Sequence, residues 1–146
     1  MNIKWYNTRF DMYLDFPKDG VGLECGVGKG INASHLLVTA KPKVLHLVDS
    51  WELYHMHHYV ISHENELWEL NEPTYEEYIG RLFAKEIAEK KVVPHKKDVF
   101  EFLAEIPDNY FDWAYVDDRH TYHHVKKELY EVIRVVKPNG IIAGHD

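Results

Sequence analysis

The segment Val21-Gly-Leu-Glu-Cys-Gly-Val-Gly-Lys-Gly30 joins a short apolar run, a carboxylate and glycines at positions 26, 28 and 30. Glycine carries no Cβ, so the chain can turn sharply here and let a ligand lie against its backbone. Glu24 puts a negative charge at the tip of the apolar run, where it would repel a pyrophosphate and attract an ammonium group. A dinucleotide fingerprint starting at Gly26 and Gly28 needs its third glycine at position 31; this chain has Ile31 there and Gly30 one place early. The expected ligand is therefore a small molecule bearing an ammonium group rather than NAD.

Four more acids repeat the arrangement, since Asp49, Asp98, Asp117 and Asp146 each stand at or just after an apolar run. One carboxylate in such a place commonly caps a helix or solvates a turn. Five along one edge of a sheet point to a ligand site. Imidazoles join them: His120 stands three residues after Asp117, and His145 precedes Asp146.

The elements that would position these groups follow from hydrophobic period and stop signals. Strands are expected at Val21 to Glu24, Val44 to Val48, Val92 to His95, Phe111 to Val116 and Gly140 to Gly144, with irregular pairing at Pro94. Helices are expected from Ile31 to Ala40, from the capping box Thr74-x-x-Glu77 towards Lys90, and from Val99 to about Glu105. A last, long helix carries Val125, Leu129, Val132, Ile133 and Val136 on one face and stops at Pro138. The alternation predicts an α/β fold, a doubly wound, mostly parallel sheet covered by helices on both faces. Ligands of such sheets bind beyond the carboxyl ends of the strands, where strand order reverses.

At 146 residues the chain is expected to form a single domain, 1–146, with residues 1–20 as an N-terminal extension. The net charge of −7, with cations scattered among acids, argues against nucleic acid as a partner. No apolar run approaches membrane-spanning length, and the first residues lack the apolar stretch of a signal peptide. The single cysteine, Cys25, cannot form an internal disulfide, which agrees with a reducing, cytoplasmic setting. Residues 50–73 follow no periodic pattern and hold His55, His57 and His58 among aromatic residues; a lid or substrate wall is expected there, with the histidines solvated.

Glu24-Cys-Gly-Val-Gly-Lys-Gly30 followed by Asp49 resembles the nucleotide-binding half of class I S-adenosylmethionine-dependent methyltransferases, whose fold is Rossmann-like. Val116-Asp-Asp-Arg-His-Thr-Tyr122 and Val136-Lys-Pro-Asn-Gly-Ile-Ile-Ala-Gly-His-Asp146 resemble the macrocin-type, metal-dependent sugar O-methyltransferases, so the likeness runs from Val21 onward. The resemblance implies that Glu24 marks the methionine end of S-adenosylmethionine, that Gly26, Gly28 and Gly30 form the floor beneath it, that Asp49 accepts the ribose hydroxyls and that Asp98 holds the adenine amino group. It further implies a divalent cation on Asp117, His145 and Asp146, with His120 as the base. The family's sheet continues with an antiparallel pair beyond the fifth strand; the chain ends at Asp146, so an open edge strand, inviting a homodimer, is expected.

The chemistry accounts for these residue types. Methyl transfer from a sulfonium is an in-line displacement from an activated donor, so the protein must mainly position and deprotonate the acceptor. A hydroxyl of a sugar or other small molecule becomes nucleophilic when a hard cation such as Mg²⁺ lowers its pKa and an imidazole takes the proton. His145 stands where an acid is sometimes found, which leaves Mn²⁺ or a metal set without His145 open. His120 can equally cap the following helix, and Asp118 is either the true ligand or a surface charge. Trp51 and Tyr122 are expected to pack, although Trp51 could flank the adenine. Three functions follow: metal-assisted O-methylation of a hydroxylated small molecule, a methyltransferase without metal that depends on His120, or a truncated, non-catalytic cofactor-binding module.

Overall fold

A computed structural model of the chain describes residues 3–52 and 74–145. The expected lid, with His55, His57 and His58, and the metal-ligand candidate Asp146 lie outside the described residues, apart from residues 50–52 of the lid.

Five parallel strands run in the order β3-β2-β1-β4-β5: β1 Val21–Cys25, β2 Val44–Asp49, β3 Val92–Lys96, β4 Phe111–Val116 and β5 Val136–Gly144. Strand order reverses between β1 and β4, which puts the ligand crevice beyond Cys25 and Val116. Helices α1 Arg9–Leu14, α2 Ile31–Thr39, α3 Tyr75–Leu82 and α4 Ala84–Ala88 join α5 Val99–Glu105 and α6 Tyr122–Val135 to complete the described elements.

Two cores form because strand side chains alternate across the sheet. Trp113 and Tyr115 of β4 pack with Tyr13 of α1, Leu36 of α2 and Ile79 of α3 on one face. Leu23, Cys25, Ala114 and Val116 pack with Phe102 of α5 and Val132 and Val135 of α6 on the other. This is the expected doubly wound, Rossmann-like α/β architecture. Gly22 belongs to the first face, where a Cβ would meet the Trp113 indole at 2.2 Å.

Several local expectations are corrected. Pro94 sits on an edge strand and pairs in regular register with Leu47, since an edge strand needs ladder donors on one side only. The helix opened by Thr74 is interrupted at Phe83, which separates α3 from α4. Val136 opens β5 instead of closing the last helix, and residues 137–140 are accommodated by a register shift between Phe111 and Trp113. On α6 the buried positions are Glu128, Val132 and Val135, spaced i, i+4 and i+7, so Ile133 turns to solvent. Helix α1 was not expected; Thr8 caps it by accepting from the Asp11 N–H at 3.2 Å, and its Tyr13 is wholly buried. No helix of the described residues is long and apolar enough to cross a membrane.

His46 of β2 and His95 of β3 stack with rings 5.1 Å apart, and their Nδ1 and Nε2 atoms lie 2.9 Å from each other. That contact needs one nitrogen to donate and the other to accept, so it is lost once both rings are protonated. Burial, then the neighbouring His95, lowers His46 to about 4 from the usual 6.5. The folded chain therefore binds fewer protons than the unfolded chain between these values, and stability present above pH 6.5 is lost as pH falls towards 4. Buried Glu24 and Glu128, both raised to about 8, gain stability over part of the same interval, so the histidine contribution is read as a difference between two proteins. From pH 7 to pH 5 the thermal midpoint of the wild type, followed by circular dichroism, should fall by about 5 °C relative to that of His46→Gln; parallel wild-type and variant curves would remove the histidine pair as the cause.

Candidate active site

The glycine turn after β1 is held from two sides. Asp49, the last residue of β2, accepts from the Val27 and Gly28 N–H groups through Oδ2, both at 2.9 Å, and from the Trp51 N–H through Oδ1 at 2.7 Å. The Trp51 indole donates to the Gly28 carbonyl at 3.2 Å, and its ring lies in the core, so this aromatic packs as expected. On the β4 side Gly26 has φ +80°, and a Cβ there would stand 2.2 Å from the Asp117 carbonyl oxygen. Gly28 is different: a Cβ would meet nothing within 4 Å, which marks it as the open side of the turn. Gly30 starts α2 and is wedged under Ile79 and Phe83, a packing role beside its place in the turn.

Glu24 lies directly below this turn and is 0% exposed. Asn32 of α2 donates to its Oε1 at 2.9 Å, while Oε2 has no hydrogen-bond partner among the described residues. The Asn32 carbonyl oxygen in turn accepts from the Tyr13 hydroxyl and, at 3.5 Å, from Arg9. Burial pushes Glu24 up to about 8, against the Asn32 hydrogen bond and with help from Asp117 and Asp49. The expectation of a fixed negative charge is thus corrected: at neutral pH this carboxyl is mostly protonated, because water has been removed and the pull of Arg9, the smallest of the contributions, does not offset that loss.

At the end of β4, Asp117, His120 and His145 come together. Asp117 Oδ1 is 3.6 Å from His120 Nε2 and 3.8 Å from His145 Nδ1, and the two rings are 6.4 Å apart at 83°. Both imidazoles are half exposed. The N-cap residue of α6 is Thr121, the residue after His120. Asp98 does take a capping role, accepting from the Phe100 N–H at 2.9 Å at the start of α5. A groove of about 460 Å³ runs from His120 along α6, lined by Tyr122, Val125, Leu129 and Ile133. Tyr122 was expected to pack but is 72% exposed and forms part of this wall.

Asp118 is not an isolated surface charge, since its Oδ2 lies 2.8 Å from Nε2 of His124 on α6. Sequence reasoning missed His124 and Glu128 as partners, and equally missed Asn32, Tyr13 and Arg9 around Glu24. The first pair had a signal in its i, i+4 spacing on a helix that starts beside Asp118. Arg9 and Tyr13 had none, because they reach Asn32 from a helix whose position depends on long-range packing.

A family model described as a methyltransferase domain matches residues 23–146. No curated protein matches the chain. Among solved structures, a putative sarcosine dimethylglycine methyltransferase from Galdieria sulphuraria is similar with a TM-score of 0.63 at 17% identity, over 93% of this chain and 43% of that one. TYW2 of M. jannaschii, solved with AdoMet, gives a TM-score of 0.59 at 16% identity, over 96% of this chain and 53% of that one. A 1,6-didemethyltoxoflavin-N1-methyltransferase from Burkholderia thailandensis, solved with its substrate and S-adenosylhomocysteine, gives 0.56 at 16% identity, over 92% and 48%. At these identities the likeness is one of fold, and this chain spans about half the length of each of the three.

The turn should be intolerant at Gly26 and sensitive at Asp49. Gly26→Ala is expected to leave little folded protein, since the added carbon meets a carbonyl from β4 at a φ that side chains rarely adopt. Asp49→Ala leaves three N–H groups without their acceptor and should lower stability by about 2–3 kcal/mol. Urea denaturation measures both, and an unchanged midpoint for Asp49→Ala would show that the carboxylate is not what holds the turn.

Proposed function

This chain belongs to the methyltransferase-domain family, and from that premise we propose that it binds S-adenosylmethionine over the glycine turn and transfers its methyl group to a hydroxyl of a small molecule. The observation that supports this reading most is Glu24, whose buried Oε2 has no partner beneath a turn with an open face at Gly28. An ammonium group brought to that oxygen would favour the ionised carboxylate and replace the missing partner. In this reading Gly26, Gly28 and Gly30 form the floor, Asp49 faces the ribose and Asp98 the adenine. Asp49 already accepts three N–H groups, and a carboxylate has about four acceptor directions. It can therefore take one ribose hydroxyl at once, and the second only if a loop N–H turns away.

The donor, when bound, supplies an electrophilic methyl group on a sulfonium, which needs no further activation. The protein's share is to hold the acceptor and take its proton. His120, half exposed beside the groove, is the proposed base, with the Asp117 carboxylate 3.6 Å away to meet the imidazolium that forms. Asp117 and His145 offer an oxygen and a nitrogen to a divalent cation, with Asp146 as the third proposed ligand. A set containing imidazole suits Mn²⁺ better than Mg²⁺, and such an ion would lower the hydroxyl's pKa. The apolar wall of the groove, Val125, Leu129 and Ile133 with Tyr122, favours an acceptor with an apolar or ring-shaped body. The pairing of His120 with Asp117 also supports a variant of this reading without metal, because a carboxylate-flanked imidazole is a base by itself.

Calorimetric titration with S-adenosylhomocysteine tests the cofactor reading. Glu24 must lose its proton to meet the ammonium, so below pH 8 affinity should rise with pH, by up to about tenfold between 6.5 and 7.5. Glu24→Gln should bind more weakly and flatten that dependence. No heat in the wild type would sink the reading. Once an acceptor is in hand, loss of turnover in EDTA, restored by Mn²⁺ and absent in Asp117→Asn, separates the metal-assisted route from the metal-free one.

A further inference from the structure

We propose that Asp118, His124 and Glu128 form a second, separate site for a divalent transition ion of the zinc class, on the face of the sheet opposite Glu24. Asp118 follows β4 directly, while His124 and Glu128 lie one turn apart on the same face of α6. His124 Nε2 is 2.8 Å from Asp118 Oδ2 and 3.8 Å from Glu128 Oε2, and one ligand atom from each residue falls within a 4.8 Å span. An ion bonded at about 2.1 Å to ligands in tetrahedral directions holds their atoms about 3.4 Å apart. These two separations bracket that value, and the Asp118–Glu128 pair, within 4.8 Å, would have to close by up to about 1.4 Å, leaving a fourth position for water.

Glu128 supplies the independent sign of a missing partner. It is 0% exposed, and neither of its oxygens has a hydrogen-bond partner of ordinary geometry among the described residues, although the Cys25 thiol acts on it as a donor. A buried carboxyl in that state is costly, and a cation between it and Asp118 would remove the cost. The two carboxylates balance the two charges of the ion, with His124 neutral. Without an ion, burial and the nearby Asp118 hold Glu128 up to about 8, with a weak opposing pull from the Cys25 thiol and a further push from Asp98.

The rest of the surroundings suits entry and orientation. Asp118 and His124 keep 27% and 10% of their side-chain surface, so an ion can reach the buried Glu128 past them. Phe100 packs on the His124 ring at 4.9 Å, and Lys127 lies 4.0 Å from the Phe100 ring centre, which fixes the imidazole plane. One nitrogen and two carboxylate oxygens match zinc or manganese rather than magnesium. Such an ion would tie the end of β4 to the first turns of α6, across the short loop that carries Asp117 and His120. It would act on those residues only by positioning them, and the site stands whether or not Asp117 itself takes a metal.

The test uses the full chain, stripped with EDTA and dialysed at pH 7, with Zn²⁺ as probe. In Asp117→Asn, which lacks the carboxylate of the other proposed site, calorimetry and metal analysis after gel filtration should still find one Zn²⁺ per chain. Adding Glu128→Gln or His124→Gln to that variant should weaken binding at least a hundredfold. Because a change at buried Glu128 can unfold the chain, histidine side-chain NMR of the wild type gives a second reading. There the His124 ring nitrogens should shift with the first equivalent of Zn²⁺. No Zn²⁺ in Asp117→Asn, equal binding after Glu128→Gln, or shifts confined to His120 and His145 would each overturn the proposal.

Discussion

The carboxylate of Asp49 is the interaction on which the crevice depends. A turn through three glycines has little to hold its own shape, because each glycine is free to leave the left-handed conformation. Three N–H groups, from Val27, Gly28 and Trp51, converge on one side chain at the end of the neighbouring strand. The turn is thereby set by the register of β1 against β2, where Cys25 lies opposite Val48. What β4 adds is a limit: the backbone at Asp117 and Asp118 approaches Gly26 so closely that no side chain fits between. Strand pairing on both sides of β1 thus shapes a turn whose glycines have no side chains to shape it, with Val27 alone of the turn seated in the core.

Two acids, Glu24 and Glu128, are buried without full hydrogen bonding, and they lie on opposite faces of the same central strands. Each is raised to about 8 chiefly by loss of water. Their surroundings differ in what they offer. Glu24 has one oxygen engaged by Asn32 and one open beneath the glycine turn, an arrangement suited to a single ammonium. Glu128 has both oxygens unmatched and an imidazole and a second carboxylate alongside, an arrangement suited to a metal ion. A buried carboxyl without full hydrogen bonding has a free-energy cost even when protonated, and a ligand that supplies the missing partner removes it.

The strand and helix order was legible because it rests on local signals: apolar runs of strand length, prolines and a capping box. The acids at strand ends were legible for the same reason, and the structure does gather Asp117, His120 and His145 within a few ångströms. Protonation was not legible, since Glu24 reads as a charge until the burial that neutralises it is known. Glu128 was hidden by its polarity, which masks its place on the buried stripe of α6 beside Val132 and Val135. Helix α1 was hidden by its brevity, six residues whose conformation is decided by Tyr13 entering the core. Asp98 and Asp118 show the limit of reading position alone: one caps a helix and the other pairs with a histidine, although both follow strands.

The register shift in β5 has a consequence for fidelity of folding. Sliding a parallel strand by a single residue turns every side chain to the opposite face, and among the described residues β4 is the one neighbour that resists such a slide of β5. Here the extra residues at 137–140 act as a detent: Val136 is seated opposite Phe111 on one side of them and Ile141 opposite Trp113 on the other. Both apolar seats must be filled together, which rules out a displaced alignment. The His145 N–H, bonded to the Val116 carbonyl at 3.3 Å, inherits that alignment and brings its imidazole to Asp117. An irregularity remote from the crevice therefore decides which way a histidine inside it points.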